Sequence, residues 1–325
     1  MTTGSSTAAV SALPVPEGRL PWGMQLPIQT LTRTLREPWE EEAGVTDLVR
    51  VARAVEAAGG AFVGVCDHVA IAPVEYTKHM TPTWYDTVAT LGYLAAATST
   101  VRLLSVVYIA AYRHPLVAAK SFMTLDHLSG GRVILGVGAG HVESEFDALG
   151  LDFRTRGAQL NEAIDAMRGA FTDTYSEFHG TYYDYGSVGL APRPVQPALP
   201  IWIGGSSKAA LRRVAERGDG WIPQGTPRDQ MRESIDVIRR RRDEVRPDAT
   251  IDLGYMPGMV YVGSPDWEVG DWCLSGEADK IAASLREAHD FGCSVLHLRF
   301  RSRSCDELCD QIAAFGSEVG PHLDR

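Results

Sequence analysis

Short apolar segments with the pattern of strands alternate with helical segments along nearly the whole chain. The strand candidates are residues 21–26, 61–66, 102–109, 132–137, 201–204, 220–223, 250–262 and 294–299. The helix candidates are residues 45–58, 84–98, 115–128, 157–172, 208–217, 228–245, 277–290 and 305–315. Strict alternation of strand and helix is typical of a parallel sheet. Eight repeats therefore predict an α/β fold, a closed (β/α)8 TIM barrel.

One segment interrupts the alternation after the fourth helix. Residues 175–196 are rich in Tyr, Gly and Pro, and residues 178–183 have the pattern of a hairpin. The segment is too long for an ordinary connection, so we expect a hairpin-like functional insertion there.

Residues 1–18 are small and polar and contain proline, which predicts a flexible N-terminal tail ahead of a single barrel domain, residues 19–325.

The composition narrows the class of protein. Hydrophobic residues make up 45% of the 325 residues, enough for a large core. The net charge of −10 disfavours a nucleic-acid partner, because a phosphate backbone would be repelled. We expect neither a membrane span nor a secretory signal. Five scattered cysteines fit a reducing cytoplasm, and their spacing predicts no metal site.

In such a barrel the active site lies at the C-terminal ends of the strands, so the residues there are candidates. The second strand ends in Asp67-His68. An imidazole titrates near neutral pH, and a nearby carboxylate can hold its tautomer, so this pair suits acid–base chemistry. A histidine bonded only to the backbone is the alternative. His141 follows the glycines of the fourth strand, where a ligand lying on them would touch it.

Two glycine-containing loops could accept a cofactor. The fourth strand runs into Gly136-Val-Gly138-Ala139-Gly140, where backbone can approach a flat ligand without intervening Cβ atoms. The fifth ends in Gly204-Gly205-Ser206-Ser207, which opens a helix whose free N–H groups favour a phosphate, and Lys208 adds charge. Helix capping alone would also explain Ser206 or Ser207. Motifs for a serine nucleophile, a P-loop and a zinc hydrolase are absent, so we expect a flat cofactor that carries the chemistry.

The chain resembles the bacterial luciferase-like superfamily and, within it, the oxidoreductases that depend on the deazaflavin coenzyme F420. The similarity spans about residues 45–225 and is carried by Phe62-Val-Gly-Val-Cys-Asp-His68, Tyr112-Arg-His-Pro115, residues 119–140, Pro192-Arg-Pro194-Val-Gln196, Ile201-Trp-Ile-Gly-Gly-Ser206 and Gly218-Asp-Gly-Trp221. The resemblance implies a (β/α)8 barrel, usually a homodimer, with the cofactor ring at the C-terminal end of the strands.

The resemblance also assigns roles to single residues. His68 matches the position where relatives move a proton or steady the reduced ring, and Val106 and Val107 match a non-proline cis peptide that supports the ring. The residues expected to bind the cofactor are Gln25, Asp67, Val106, Val107, Gly138, Ala139, Gly140, Gly204, Gly205, Ser206, Ser207 and Gln224. The residues expected to take part in catalysis are His68, Asp67 and His141. Sugar-phosphate-oxidising relatives carry Glu where this chain has His141, which disfavours that substrate.

The resemblance leaves the cofactor and the function open between alternatives. F420 transfers hydride only, whereas reduced FMN also activates oxygen. The block from Tyr112 to Gly140 is more similar to the F420 branch, so we expect hydride transfer between F420 and a small organic substrate. The alternatives are a reduced-FMN monooxygenase and a flavin-binding protein without catalysis. We expect a cytoplasmic homodimer with a small-molecule substrate and without a nucleic-acid or membrane partner.

Overall fold

A closed ring of parallel strands forms the centre of the molecule, which a computed structural model describes for residues 11–13 and 18–324. The strands of this part of the chain are β1 (Trp22–Gln25), β2 (Phe62–Val65), β3 (Arg102–Ser105), β4 (Tyr108–Ile109), β5 (Val133–Gly138), β6 (Tyr175–His179), β7 (Asp184–Gly189), β8 (Ile201–Gly204), β9 (Gly220–Ile222), β10 (Asp252–Tyr255), β11 (Val260–Val262), β12 (Leu274–Gly276) and β13 (Val295–Leu298). The ring consists of β1, β2, β3, β5, β8, β9, β10 and β13, and β13 pairs with β1. The predicted (β/α)8 TIM barrel is confirmed.

Helices cover the outside of the ring. They are α1 (Val45–Ala57), α2 (Thr87–Ala97), α3 (Pro115–Ser129), α4 (Glu143–Ala148), α5 (Arg156–Thr172), α6 (Lys208–Arg217), α7 (Met231–Val245), α8 (Ala278–Phe291) and α9 (Cys305–Ala314). Gly130 and Gly292 end α3 and α8 with positive φ, as their positions before a strand predict. Strands β2 and β5 are buried along their whole length, because side chains on one face fill the barrel and those on the other pack against helices. None of the described helices is both long and apolar enough to cross a membrane.

Two of the predicted strands are each divided in the structure. Residues 102–109 form β3 and β4, and the peptide bond between Val106 and Val107 is cis, as the family resemblance implies. Residues 250–262 form β10 in the barrel and β11 outside it. Strand β11 pairs in parallel with β12 instead. Pro257 and Gly258 interrupt the apolar run, and this is the signal that the prediction of a single strand overlooked.

A two-stranded antiparallel hairpin, β6 and β7, follows α5, which is the fourth of the predicted helices. The carboxylate of Glu162 on α5 holds its turn, accepting hydrogen bonds from the backbone N–H groups of Thr181 (2.9 Å) and Tyr182 (2.8 Å). The hairpin is therefore anchored to the outside of the barrel where the sequence predicted an insertion.

A short N-terminal segment contacts the opposite end of the barrel from the site. The Ser11 hydroxyl donates to Asp252 Oδ1 (2.6 Å) and the Ala12 N–H donates to Asp252 Oδ2 (2.9 Å). Ala12 and Leu13 are buried. Residues 1–10 and 14–17 of the predicted flexible tail lie outside the described residues.

Candidate active site

A cavity of about 670 Å³ opens at the C-terminal end of the barrel. The residues that the sequence proposed for cofactor binding or catalysis all line it: Gln25, Asp67, His68, Val106, Val107, Gly138, Ala139, Gly140, His141, Gly204, Gly205, Ser206, Ser207 and Gln224. They come together because the C-terminal ends of parallel strands meet at one face of a barrel. The volume is in the range of small-molecule and cofactor sites.

His68 pairs with a glutamate that the sequence analysis did not single out. His68 Nδ1 lies 2.8 Å from Glu145 Oε2 on α4, and the side chains are 10% and 0% exposed. The Glu145 carboxylate also accepts hydrogen bonds from the Tyr112 hydroxyl (2.8 Å) and from the backbone N–H groups of Val69 and Ala70. The Glu145 carboxylate therefore holds both the His68 ring and the backbone of the loop after β2 in place.

The charge on Glu145 decides which nitrogen of His68 can react. Burial raises the pKa of Glu145, but the hydrogen bonds from His68, Val69 and Tyr112 outweigh it and hold this pKa below its usual range. Glu145 is therefore an anion at neutral pH, and it accepts the proton of His68 Nδ1–H. In a neutral imidazole this leaves Nε2 without a proton, as the nitrogen that can accept one from a ligand.

Asp67 does not pair with His68, which corrects the expectation that it holds the tautomer of that ring. Its oxygens accept two hydrogen bonds from the Arg113 guanidinium, at 2.5 and 2.9 Å. They also accept from the Ile109 N–H (2.8 Å) and the Thr87 hydroxyl (3.2 Å). Asp67 thus ties β4, α2 and Arg113 to the end of β2. Glu145, not Asp67, is the carboxylate that orients His68.

Aromatic rings crowd the mouth of the cavity around His68. The Trp84 ring centroid lies 4.3 Å from that of His68, and the His141 ring lies 5.6 Å away. Tyr76 makes an edge contact with His141 at 6.2 Å. Partial burial of the His141 ring lowers the pKa of His141, and the charge of the neighbouring His68 lowers it further, although part of the residue is open to solvent. His141 is therefore a neutral hydrogen-bonding group at neutral pH.

The glycines of the cavity floor leave room for the side chain of Val107, which packs against them. A Cβ atom on Gly138 would lie 2.4 Å from Val107 Cγ2, and one on Gly204 would lie 2.7 Å from Val107 Cγ1. No side chain fits at either position. Gly205 has φ +105°, which itself favours glycine. The chain's own packing and backbone geometry thus require glycine at these positions, and the close approach of their backbone to a ligand stays a prediction.

The loop between β8 and α6 and the N-terminus of α6 line the cavity. Ser207 is the N-cap, and its Oγ accepts a hydrogen bond from Ala210 N–H (3.2 Å), as the capping alternative predicts. The Ser206 hydroxyl donates to the Gln224 carbonyl (3.0 Å) and lies 2.5 Å from Thr226 Oγ1. Ser206 thus joins the loops after β8 and β9. Because the cap takes the Ala210 N–H, the backbone N–H groups of Lys208 and Ala209 are the ones that the helix start leaves for a ligand.

Four arginines line the cavity, and the sequence analysis missed all of them: Arg154, Arg156, Arg213 and Arg299. Arg213 donates to Asn161 Oδ1 (2.6 Å) and to the Gly157 carbonyl (3.0 Å), and burial lowers its pKa to about 10. Lys208, expected to meet a phosphate, does not line the cavity. Asp67 is the one carboxylate among the described lining residues, and Arg113 neutralises it. Arg154 is paired with Asp152 at 3.3 Å, whereas no carboxylate of the described residues forms an ion pair with Arg156, Arg213 or Arg299. The cavity is therefore net positive.

Comparison with known proteins places this geometry in a family. The model of luciferase-like monooxygenases matches residues 24–290. An uncharacterised protein of Mycobacterium tuberculosis is 34% identical over 210 residues, which cover 61% of this chain and 72% of that protein.

Two further relatives have activities that use different cofactors. An F420-dependent glucose-6-phosphate dehydrogenase of Amycolatopsis mediterranei is 33% identical over 186 residues, covering 56% of this chain and 54% of the relative. An FMNH(2)-dependent dimethylsulfone monooxygenase of Pseudomonas putida is 30% identical over 161 residues, covering 48% and 44%. With a family model that matches most of its length, the chain belongs to the luciferase-like monooxygenase family of oxidoreductases.

Proposed function

We propose that the protein is an oxidoreductase that binds coenzyme F420 in the barrel cavity and transfers a hydride between it and a small organic substrate. The observation that carries the proposal is the combination of a positive cavity with the oriented His68–Glu145 pair. We also propose that the protein forms a homodimer, that it acts in the cytoplasm and that it binds a small-molecule substrate.

The cavity residues fit a flat cofactor with an anionic tail. Val106 and Val107 form an apolar floor for a ring, and the start of α6 offers backbone N–H groups to a phosphate. Arg154, Arg156 and Arg213 lie on the α5–α6 side and would meet the negative charges of the tail. When bound, F420 supplies two-electron hydride chemistry without activation of oxygen.

The protein's own contribution is to hold a proton at a fixed atom. Glu145 keeps His68 Nδ1 protonated, so Nε2 is the ring nitrogen left to accept a proton, or to donate one once it is protonated. Trp84 lies against the His68 ring and shields it from water. Asp67 acts indirectly, because it holds Arg113 and the Ile109 backbone in place beneath the ring site.

The number of cations favours F420 over FMN. FMN carries a single phosphate, whereas F420 carries a phosphodiester and a longer anionic tail. On the α5–α6 side Arg154 is paired with Asp152, but Arg156 on α5 and Arg213 on α6 form no ion pair with a carboxylate of the described residues. Two such arginines on different helices, in addition to a helix N-terminus, suit a tail with several separated negative charges. The reduced-FMN monooxygenase remains the second candidate because a relative with 30% identity has that activity.

We expect the purified protein to bind F420 more tightly than FMN, measured by fluorescence titration of each cofactor. Arg213→Met should weaken F420 binding about 10–100-fold, the scale of one lost charge-assisted hydrogen bond. Arg212→Met is the matched control, because Arg212 is exposed on the same helix and does not line the cavity. Its affinity for F420 should equal that of the wild-type protein.

The titration separates the three functions. Equal or tighter binding of FMN would favour the monooxygenase over the F420 enzyme. Binding without turnover of any reduced cofactor, over a broad panel of substrates, would favour a non-catalytic flavin-binding protein. Thermal melting of both arginine variants checks that a loss of affinity does not come from unfolding, since Arg213 also joins α5 to α6.

A further inference from the structure

Arg299 places in the cavity a positive charge that forms no direct ion pair with a carboxylate of the described residues. It directly follows β13 and lines the cavity beside Gln25. Its Nη2 donates to Gln25 Oε1 at 2.5 Å, and no carboxylate of the described residues lies within ion-pair distance of it. A guanidinium has five N–H donors, so most of the hydrogen-bonding capacity of Arg299 is left for a ligand.

Other arginines in this part of the molecule are paired. Arg113 forms a bidentate pair with Asp67, and Arg301, two residues after Arg299, pairs with Glu37 at 2.5 Å. A largely buried charge that no carboxylate binds directly is costly. Burial lowers the pKa of Arg299, and the charge of Glu40, which lines an adjoining pocket, offsets only part of that effect. Such a group is a strong candidate for ligand recognition, because the ligand then supplies the missing negative charge.

The position of Arg299 separates it from the side that would hold the cofactor tail. In the closed ring β13 lies four strands away from β5 in both directions, so Arg299 stands opposite the glycine loop that ends at His141. The arginines assigned to the tail lie beyond β5, on and before α5 and on α6. The remaining lining residues of the cavity carry no carboxylate, lysine or arginine: Thr32, Thr34, Leu35, His79, Met80 and Trp84. Glu40 and Arg36 line an adjoining pocket with Arg299.

We infer that Arg299 recognises a carboxylate on the organic substrate, in a subsite completed by the Gln25 amide and the apolar and aromatic side chains around it. The inference deepens the proposed function and rests on it. A carboxylate fits because its two oxygens match the planar fork of one guanidinium and its single charge balances one cation. A phosphate dianion would need a second cation, and Arg36, which lines the adjoining pocket with Arg299, is already paired with Glu41.

Small aromatic anions test the subsite without knowledge of the substrate. We expect benzoate to bind the F420-loaded protein at least about tenfold more tightly than benzamide, its neutral analogue, and more tightly than phenyl phosphate, as measured by calorimetry. Arg299→Met should weaken benzoate binding about 10–100-fold and leave benzamide unchanged. Arg299→Lys should restore part of the affinity, because it keeps the charge but loses the fork.

Arg33→Met is the matched control, since Arg33 is exposed in the loop after β1 and does not line the cavity. Equal binding of benzoate and benzamide, or an Arg299→Met variant that binds benzoate like the wild type, would overturn the inference. Tighter binding of phenyl phosphate than of benzoate would mean that Arg299 recognises a phosphate on the substrate and not a carboxylate. A loss of F420 affinity in Arg299→Met as large as the loss for benzoate would assign the arginine to the cofactor instead.

The two proposals fail separately. If the wild-type protein does not bind F420, the proposed function is wrong, and the benzoate comparison in the cofactor-free protein still decides whether Arg299 selects a carboxylate. If F420 binds and the benzoate preference is missing, the proposed function stands and the substrate subsite is wrong.

Discussion

Replacement of His68 by alanine is expected to lower kcat by about 10²–10⁴-fold, the usual contribution of a positioned acid or base. The affinity for F420 should change far less, because the expected phosphate contacts lie on α6 and not on the loop after β2. Turnover is followed by the absorbance of F420 with a substrate found by screening, and affinity by fluorescence titration. Wild-type kcat in His68→Ala would leave His68 with only its packing against Trp84.

Glu145→Gln is the companion to this change. It keeps the shape of the side chain but removes the negative charge beside His68 Nδ1. We expect a smaller fall in kcat, about 10–100-fold, since the ring is retained and only its orientation and charge balance change. Glu143→Gln is the control, because Glu143 is exposed on the same short helix. It should leave kcat and the affinity for F420 unchanged.

Asp67→Ala is expected to destabilise the protein by about 3–5 kcal/mol, the cost of leaving one partner of a buried ion pair uncompensated. Asp67 is 1% exposed at the side chain and Arg113 is 21% exposed. The variant also leaves the Ile109 N–H without its acceptor. Urea unfolding of the wild type and the variant measures the difference in the free energy of unfolding.

The matched control for Asp67 is an exposed pair. Asp306 contacts Arg50 at the surface, and such pairs contribute little because water screens them. The Asp306→Ala variant should unfold close to the wild-type urea concentration. If Asp67→Ala unfolded there as well, the carboxylate would not stabilise the barrel end, and a direct role in catalysis would be the better account of Asp67.

The barrel could be predicted from the sequence because each of its elements has a strong local signal. Apolar runs of four to six residues mark strands such as β2 and β5, and Gly130 and Gly292 mark where helices end. The rule that barrel sites lie at strand ends then places Asp67, His68 and Gly138 at one face. Where a break in the pattern was overlooked, as at Pro257 and Gly258 between β10 and β11, one strand was predicted instead of two.

Residues that enter the cavity from helices could not be predicted in the same way. Glu143 and Glu145 are two residues apart in the sequence, and only the packing of α4 buries Glu145 and exposes Glu143. Arg212 and Arg213 are adjacent and point about 100° apart around the axis of α6, so only the packing of that helix decides which one faces the cavity. Ion pairs between distant parts of the chain are equally hard to predict from sequence, since Asp67 and Arg113 meet only when β2 and the segment after β4 are side by side.

Hydrogen–deuterium exchange with and without F420 tests most directly the claim that this cavity binds the cofactor. We predict slower exchange on addition of F420 in the loops that line it, at residues 66–69, 107–109, 138–141 and 205–207. Residues 11–13 and the start of β10, at the opposite end of the barrel, serve as the internal reference and should not change. Unchanged exchange in all four loops at saturating F420, or protection confined to the opposite end, would contradict the account.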